Sequence, residues 1–160
     1  MISNLSHYHT EIARGVWGSL PEGLWKRAEF TYKEITQFSS SGGKYEKKNG
    51  TFDGILNIPD AVRTAFEHLR AEMAKLHDNG HAWYTATFTL TPDGKFKFDF
   101  DYDHLPAFDI MPDPEDWLDE FKHYPRPELQ AQIQDWIDGR VPYEEWKSMV
   151  ARLKQVGKKT

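Results

Sequence analysis

The 160-residue chain predicts an α+β fold: an antiparallel sheet with an amphipathic helix packed on its aromatic face, and a C-terminal helical hairpin. Three observations carry that expectation. Residues 83–103 alternate with period two on both sides of Pro92-Asp93-Gly94, the pattern of a β-hairpin. Val62, Phe66, Leu69, Met73 and Leu76 step by four and three, which makes one apolar stripe on a helix. Beyond Pro125, two short apolar stripes are separated by Gly139 and Pro142.

Residues 3–17 read as a first helix, with Leu5, Tyr8, Ile12 and Val16 near helical spacing and Gly18 and Pro21 as its stop. Residues 24–36 read as a strand. Ala28, Phe30 and Tyr32 share one face, and Arg27, Glu29, Thr31 and Lys33 the other. Residues 37–58 are rich in Ser, Gly and Lys. With Gly42-Gly43 and Asn49-Gly50 as turn signals, they read as one or two short, irregular strands. The clearest helix is 59–78, with Pro59 in its first turn and Asn79-Gly80 as a left-handed stop.

In the 83–103 hairpin the turn is type I with a glycine bulge, and it sets the register. Leu90 should face Phe96, Phe88 Phe98, Ala86 Phe100 and Tyr84 Tyr102 on the apolar side. On the polar side Thr89 should face Lys97, Thr87 Asp99, Thr85 Asp101 and Trp83 Asp103. A short helix through Trp117, Leu118 and Phe121 follows, broken at Tyr124-Pro125-Arg126-Pro127. The expected hairpin pairs a helix over 127–138 (Leu129, Ile133, Trp136, Ile137) with one opened by Pro142 (Tyr143, Trp146, Met149, Val150, Leu153). The domain plan is an α+β unit over 1–124, the helical hairpin over 125–156 packed on it, and a flexible tail at 157–160.

Charge is distributed unevenly. Residues 98–121 carry nine carboxylates and no Lys or Arg in a chain of net charge −5, so the remainder sums to +4. An acidic, aromatic-rich segment can steer a basic partner and then grip it with rigid apolar surface. The same residues are also consistent with a bound hard cation or an ordinary solvated face. A pI near 5.8 argues against direct nucleic-acid binding. Cysteine is absent, which removes disulfides, thiolate catalysis and Cys-type zinc sites. No apolar run is long enough to span a bilayer, and the first residues lack a basic stretch followed by an apolar one, so a cytoplasmic protein is expected.

Asp99, Asp101 and Asp103 lie two apart on a strand and should share a face, about 7 Å between neighbours. No calcium-type loop or second acidic motif accompanies them, so no metal or other cofactor is assigned. His7/His9 and His77/His81 read as surface histidines. Ser41-Gly42-Gly43-Lys44 fails the phosphate-loop pattern, because Phe38 and Tyr45 stand where it needs Gly and Ser or Thr. Trp117, Phe108 and Tyr124 read first as core aromatics, with Trp117 kept as a candidate anchor beside the acidic row.

The run Gly94-Lys95-Phe96-Lys97-Phe98-Asp99-Phe100-Asp101-Tyr102-Asp103, followed by an acidic loop and Trp117, resembles the YezG-type immunity proteins (antitoxins) of bacterial polymorphic toxin systems. The likeness extends over roughly residues 1–124 and includes the early pattern Trp25-Lys26-Arg27-Ala28-Glu29-Phe30. The Ser/Gly-rich 36–50 region and the helices after residue 125 depart from it. The resemblance implies a non-enzymatic protein that binds and neutralises a cognate toxin domain, expected to be a basic nuclease. Taken with the charge pattern, it makes Asp99, Asp101, Asp103, Asp109, Asp113, Asp116 and Trp117 the candidate partner-binding residues. Two other readings are a divalent-metal-dependent hydrolase using Asp99, Asp101 and Asp103, and a non-enzymatic adaptor domain. The sequence leaves the oligomeric state open.

Overall fold

The structure, a computed structural model, describes residues 2–110 and 112–140. Among these the order is α1 (Ile2–Gly18), β1 (Trp25–Ile35), β2 (Phe38–Lys47), β3 (Phe52–Gly54), α2 (Asp60–Leu76), β4 (Thr85–Leu90), β5 (Phe96–Asp101), α3 (Pro114–His123) and α4 (Pro127–Ile137). The strands form one antiparallel sheet in the order β3-β2-β1-β4-β5. The fold is α+β, as the sequence pattern requires. Only α4 of the expected C-terminal hairpin can be seen. The helix expected from Pro142 onward and the 157–160 tail lie outside the described residues.

The aromatic face forms because β1, β4 and β5 each place an apolar residue at every second position. Ala28, Phe30, Tyr32, Ala86, Phe88 and Leu90 meet Ile12 and Val16 of α1 and Val62, Ala65, Phe66 and Leu69 of α2. Phe66 lies parallel to the Tyr32 ring at 4.8 Å between centroids. The two helices cross closely at Gly15, where a Cβ would overlap the Cγ2 of buried Val62. The α2 stripe fades at its C-terminus. Met73 is half-buried and Leu76 exposed, and the helix stops at extended His77 rather than at Asn79-Gly80.

The hairpin register is the expected one from Leu90/Phe96 to Thr85/Asp101. Gly94 has φ +84°, which suits the bulge position, and the Thr91 N–H donates to the Lys95 carbonyl at 3.0 Å. Beyond Thr85 the expected alternation fails. The Tyr84 N–H reaches the Asp101 carbonyl, and the Tyr84/Tyr102 and Trp83/Asp103 pairs do not form. Trp83, expected on the polar face, is fully buried in the main core beside Phe66 and Phe100. Tyr84 turns into a second core.

Residues 37–58 form two strands joined by a turn at Asn49-Gly50, as expected, but the first is long and regular. Phe38–Lys47 is one continuous ten-residue strand, and Gly42-Gly43 lies in its middle instead of at a turn. A Cβ on Gly43 would come within 2.8 Å of the Glu29 carbonyl and 3.0 Å of the Phe30 ring. The small residue is what lets Phe30 and Ile55 cover the strand. The real β1–β2 turn is Thr36-Gln37, which carries no glycine or proline. It is held from outside: the Thr36 N–H and Oγ1 both donate to Glu120 Oε1, at 2.7 and 2.9 Å.

The second core lies under α3 and α4. Ile35, Tyr84, Leu105, Phe108, Trp117, Phe121, Leu129, Ile133 and Trp136 build it. A capping box between Asp113 and Asp116 starts α3. Arg126, at the start of α4, donates to the Tyr102 carbonyl at 2.6 Å and to Asp103 at 3.1 Å. A buried charge cluster joins the two cores. Arg70 of α2 pairs with Glu120 at 2.8 Å, approaches Glu34 at 3.7 Å and donates through Nε to the Trp83 carbonyl. Tyr32 donates its hydroxyl to Glu34 at 2.7 Å. Burial raises the Glu34 carboxyl to about 7, against the opposing pull of Arg70.

Candidate functional site: the open face of the sheet

Helices α1 and α2 cover only one side of the sheet. The other side carries the alternate residues: Arg27, Glu29, Thr31 and Lys33 on β1, Ser40, Gly42 and Lys44 on β2, Thr85, Thr87 and Thr89 on β4, and Lys97, Asp99 and Asp101 on β5. The central positions are short side chains, so this face is hollow. A concavity of about 590 Å³ is floored by Thr31, Ser40, Gly42, Thr85 and Thr87 and bounded by Glu29, Lys33 and Asp109. Lys33 Nζ donates to the Ala107 carbonyl at 2.7 Å and so holds the 105–109 segment over one end of it. That contact puts Asp109 at the rim, with Ile110 (75% exposed) next to it. At the opposite flank Phe52 is 57% exposed, with the Lys44 ammonium 5.2 Å from its ring centroid. Nearby Lys47 holds the Asp53 carboxyl below the usual carboxylate range through a 2.9 Å bond.

The candidate residues named from sequence are scattered by this geometry. Asp99 stands on the open face near Lys97, 3.7 Å away. Asp101 folds back, and its Oδ1 accepts from the Asp103 N–H, the His104 N–H and the His104 ring. Asp103 lies past the end of β5 and is drawn to Arg126. The three aspartates are therefore not one row of free ligands, and no three His, Cys, Asp or Glu side chains converge among the described residues. Asp113 and Asp116 are exposed or half-buried and serve the start of α3.

Two acidic-segment residues are internal: Trp117, as its reading as a core aromatic expects and leaving it no surface to serve as an anchor, and Glu120, which the charge pattern groups with the solvated carboxylates. Trp117 has no exposed surface and is a core residue, because α3 turns that side chain onto Phe108 and Phe121. Glu120, counted among the nine carboxylates, is also fully buried and belongs to the Arg70 cluster. Phe52 is an exposed apolar side chain at this face, and Ile110 is an exposed one adjacent in sequence to the rim residue Asp109, neither of them expected from the sequence. The signal for Ile110 is its place directly after Asp109. Phe52 directly follows the Asn49-Gly50 turn region, where no regular strand is expected.

Among the described residues no helix is long and apolar enough to cross a membrane. No match to a curated protein is found for the chain. A family model described as immunity protein YezG-like matches residues 43–126, just over half of the chain. The matched span runs from the middle of β2 through α2, the hairpin and α3, and leaves out α1 and β1. On that match, this chain belongs to the YezG-like immunity protein family.

Proposed function

We propose that this protein neutralises a cognate toxin domain by binding it with the open face of the sheet, and that the toxin is a basic nuclease. The supporting observation is the hollow Thr/Ser/Gly floor with exposed carboxylates along one side. Asp109 is on the rim and Asp99 stands exposed on β5, with half-buried Asp101 on the same strand, and Asp113 and Asp116 follow in sequence at the start of α3. A knob of basic surface entering such a hollow meets hydroxyl and carbonyl acceptors, while the carboxylates draw it in from a distance. Phe52 and Ile110 offer the apolar contact that slows release. On this reading the chain works by occlusion, with no chemistry of its own.

The experiment measures association with the cognate toxin domain, sought among the products of the genes adjacent to this one, at low and moderate salt. Two variants are compared with wild type: Asp99→Asn/Asp101→Asn and Asp109→Asn/Asp113→Asn/Asp116→Asn. Asn keeps the capping role at position 113. Each set should slow association at about 10 mM salt, where the Debye length is about 30 Å. The deficit should shrink at about 100 mM, where it is about 10 Å. Unchanged rates for both sets would remove the acidic rim from the mechanism. Failure of the wild type to bind or protect would remove the reading itself.

A further inference from the structure

The edge strand β5 has a sequence that is complementary to itself. Among the described residues no strand lies on its outer side. It reads Lys95-Phe96-Lys97-Phe98-Asp99-Phe100-Asp101, with two positive charges before Phe98 and two negative charges after it. At the two ends of the hairpin ladder the carbonyls of Lys95 and Asp101 both accept from β4 or its flanking residues. Because successive residues of a strand point their backbone groups to opposite edges, the N–H and C=O of Phe96, Phe98 and Phe100 point to the free edge. We propose that two copies of this chain pair antiparallel through β5, about a two-fold axis at Phe98, to make one continuous ten-stranded sheet.

The register follows from charge. With Phe98 opposite Phe98 of the second copy, Phe96 lies opposite Phe100, Lys97 opposite Asp99 and Lys95 opposite Asp101, each twice by symmetry. The hydrogen-bonded pairs are then the phenylalanines. The Lys–Asp pairs fall at the closer, non-hydrogen-bonded positions, where opposite charges interact best. Sliding by two residues in either direction keeps the hydrogen-bond phase but sets Lys97 against Lys97 or Asp99 against Asp99. A one-residue slip puts charge on the aromatic face. Lys97 and Asp99 are 69% and 66% exposed and pair with each other along the strand at 3.7 Å, a solvent-exposed contact that a facing strand can exchange, and Phe96, on the apolar side, is 43% exposed. Charged edges usually block pairing with foreign strands. This one repels any strand of uniform sign along half its length and accepts its own antiparallel copy along all of it. The concavity is lined from β1, β2, β4 and Asp109, with no side chain from β5, although Thr85 and Thr87 stand directly beside Asp101 and Asp99.

Sedimentation equilibrium over a concentration series tests this with the full chain. The wild type should be a dimer at low salt and should dissociate as salt rises. Lys97→Asp and Asp99→Lys, both at exposed positions, should each weaken self-association by at least about tenfold. An equimolar mixture of the two variants should recover dimer. One copy then carries carboxylates at both positions 97 and 99 and the other carries ammonium groups at both, so every facing pair is again of opposite sign. Circular dichroism melts check that each variant is folded. A wild type that is monomeric throughout, charge variants that dimerise like wild type, or a mixture that stays monomeric would overturn the proposal.

Discussion

Single residues decide whether this chain can close its two cores. Gly43 lets Phe30 and Ile55 pack across β2, and the nearest atom to an added Cβ is backbone that cannot rotate away. Gly43→Ala should therefore cost about 1–3 kcal/mol in denaturant unfolding. Glu34 carries the pH response. Its folded carboxyl titrates near 7, above its ordinary value of 4.5, so the native state binds more protons than the unfolded one between those values. Stability from this residue is present below about pH 4.5 and falls as pH rises to about 7, by up to about 3 kcal/mol. Unfolding of wild type and Glu34→Gln at pH 5 and pH 8 checks the sign. The wild type should lose more stability at pH 8 than the variant, and equal losses would refute it. Both members of the Arg70–Glu34 contact left traces in the sequence. Glu34 continues the inward register of Ala28, Phe30 and Tyr32, and Arg70 sits inside the α2 stripe between Leu69 and Met73. A charge in an apolar register announces a buried partner, but the closest partner, Glu120, is fifty residues from Arg70 in a segment dominated by solvated carboxylates.

At the scale of elements, legibility followed locality. The β4–β5 hairpin could be read because its turn residues fix its register within twenty positions. The β1–β2 turn could not, since Thr36-Gln37 has no turn signature and is held by a carboxylate from α3. The same absence of local information hid the length and regularity of β2, whose Ser and Gly residues disfavour strand but suit the partner strand beside them. The flip at Trp83 and Tyr84 likewise arises from two cores competing for adjacent side chains. The charge cluster that joins these cores should behave as a unit. Arg70→Met leaves Glu34 and Glu120 facing each other without a cation and should cost about 3–5 kcal/mol. Adding Glu120→Gln, which removes the uncompensated charge and keeps an acceptor for Thr36, should return part of that loss, which a double-mutant cycle in urea would read as coupling.

At the scale of the whole molecule, the described residues give the sheet one covered face and one open face. Helices α1 and α2 bury the aromatics, and the opposite side presents a shallow hydroxyl-lined hollow with acidic surroundings. The acidic segment was visible in the sequence, but its division was not. Glu120 is internal, and Asp103, though exposed, is partly offset by Arg126. Gly42 probes the open face most directly. A Cβ there meets nothing within 4 Å, so a large side chain would project into the hollow without disturbing the core. The decisive measurement is the affinity of Gly42→Tyr for the proposed cognate toxin domain, taken with its thermal melt and its protection of cells expressing that toxin. The account predicts an unchanged melt, at least about tenfold weaker binding, equivalent to about 1.4 kcal/mol, and reduced protection. A folded Gly42→Tyr that binds and protects like wild type would contradict the assignment of the open face to the toxin.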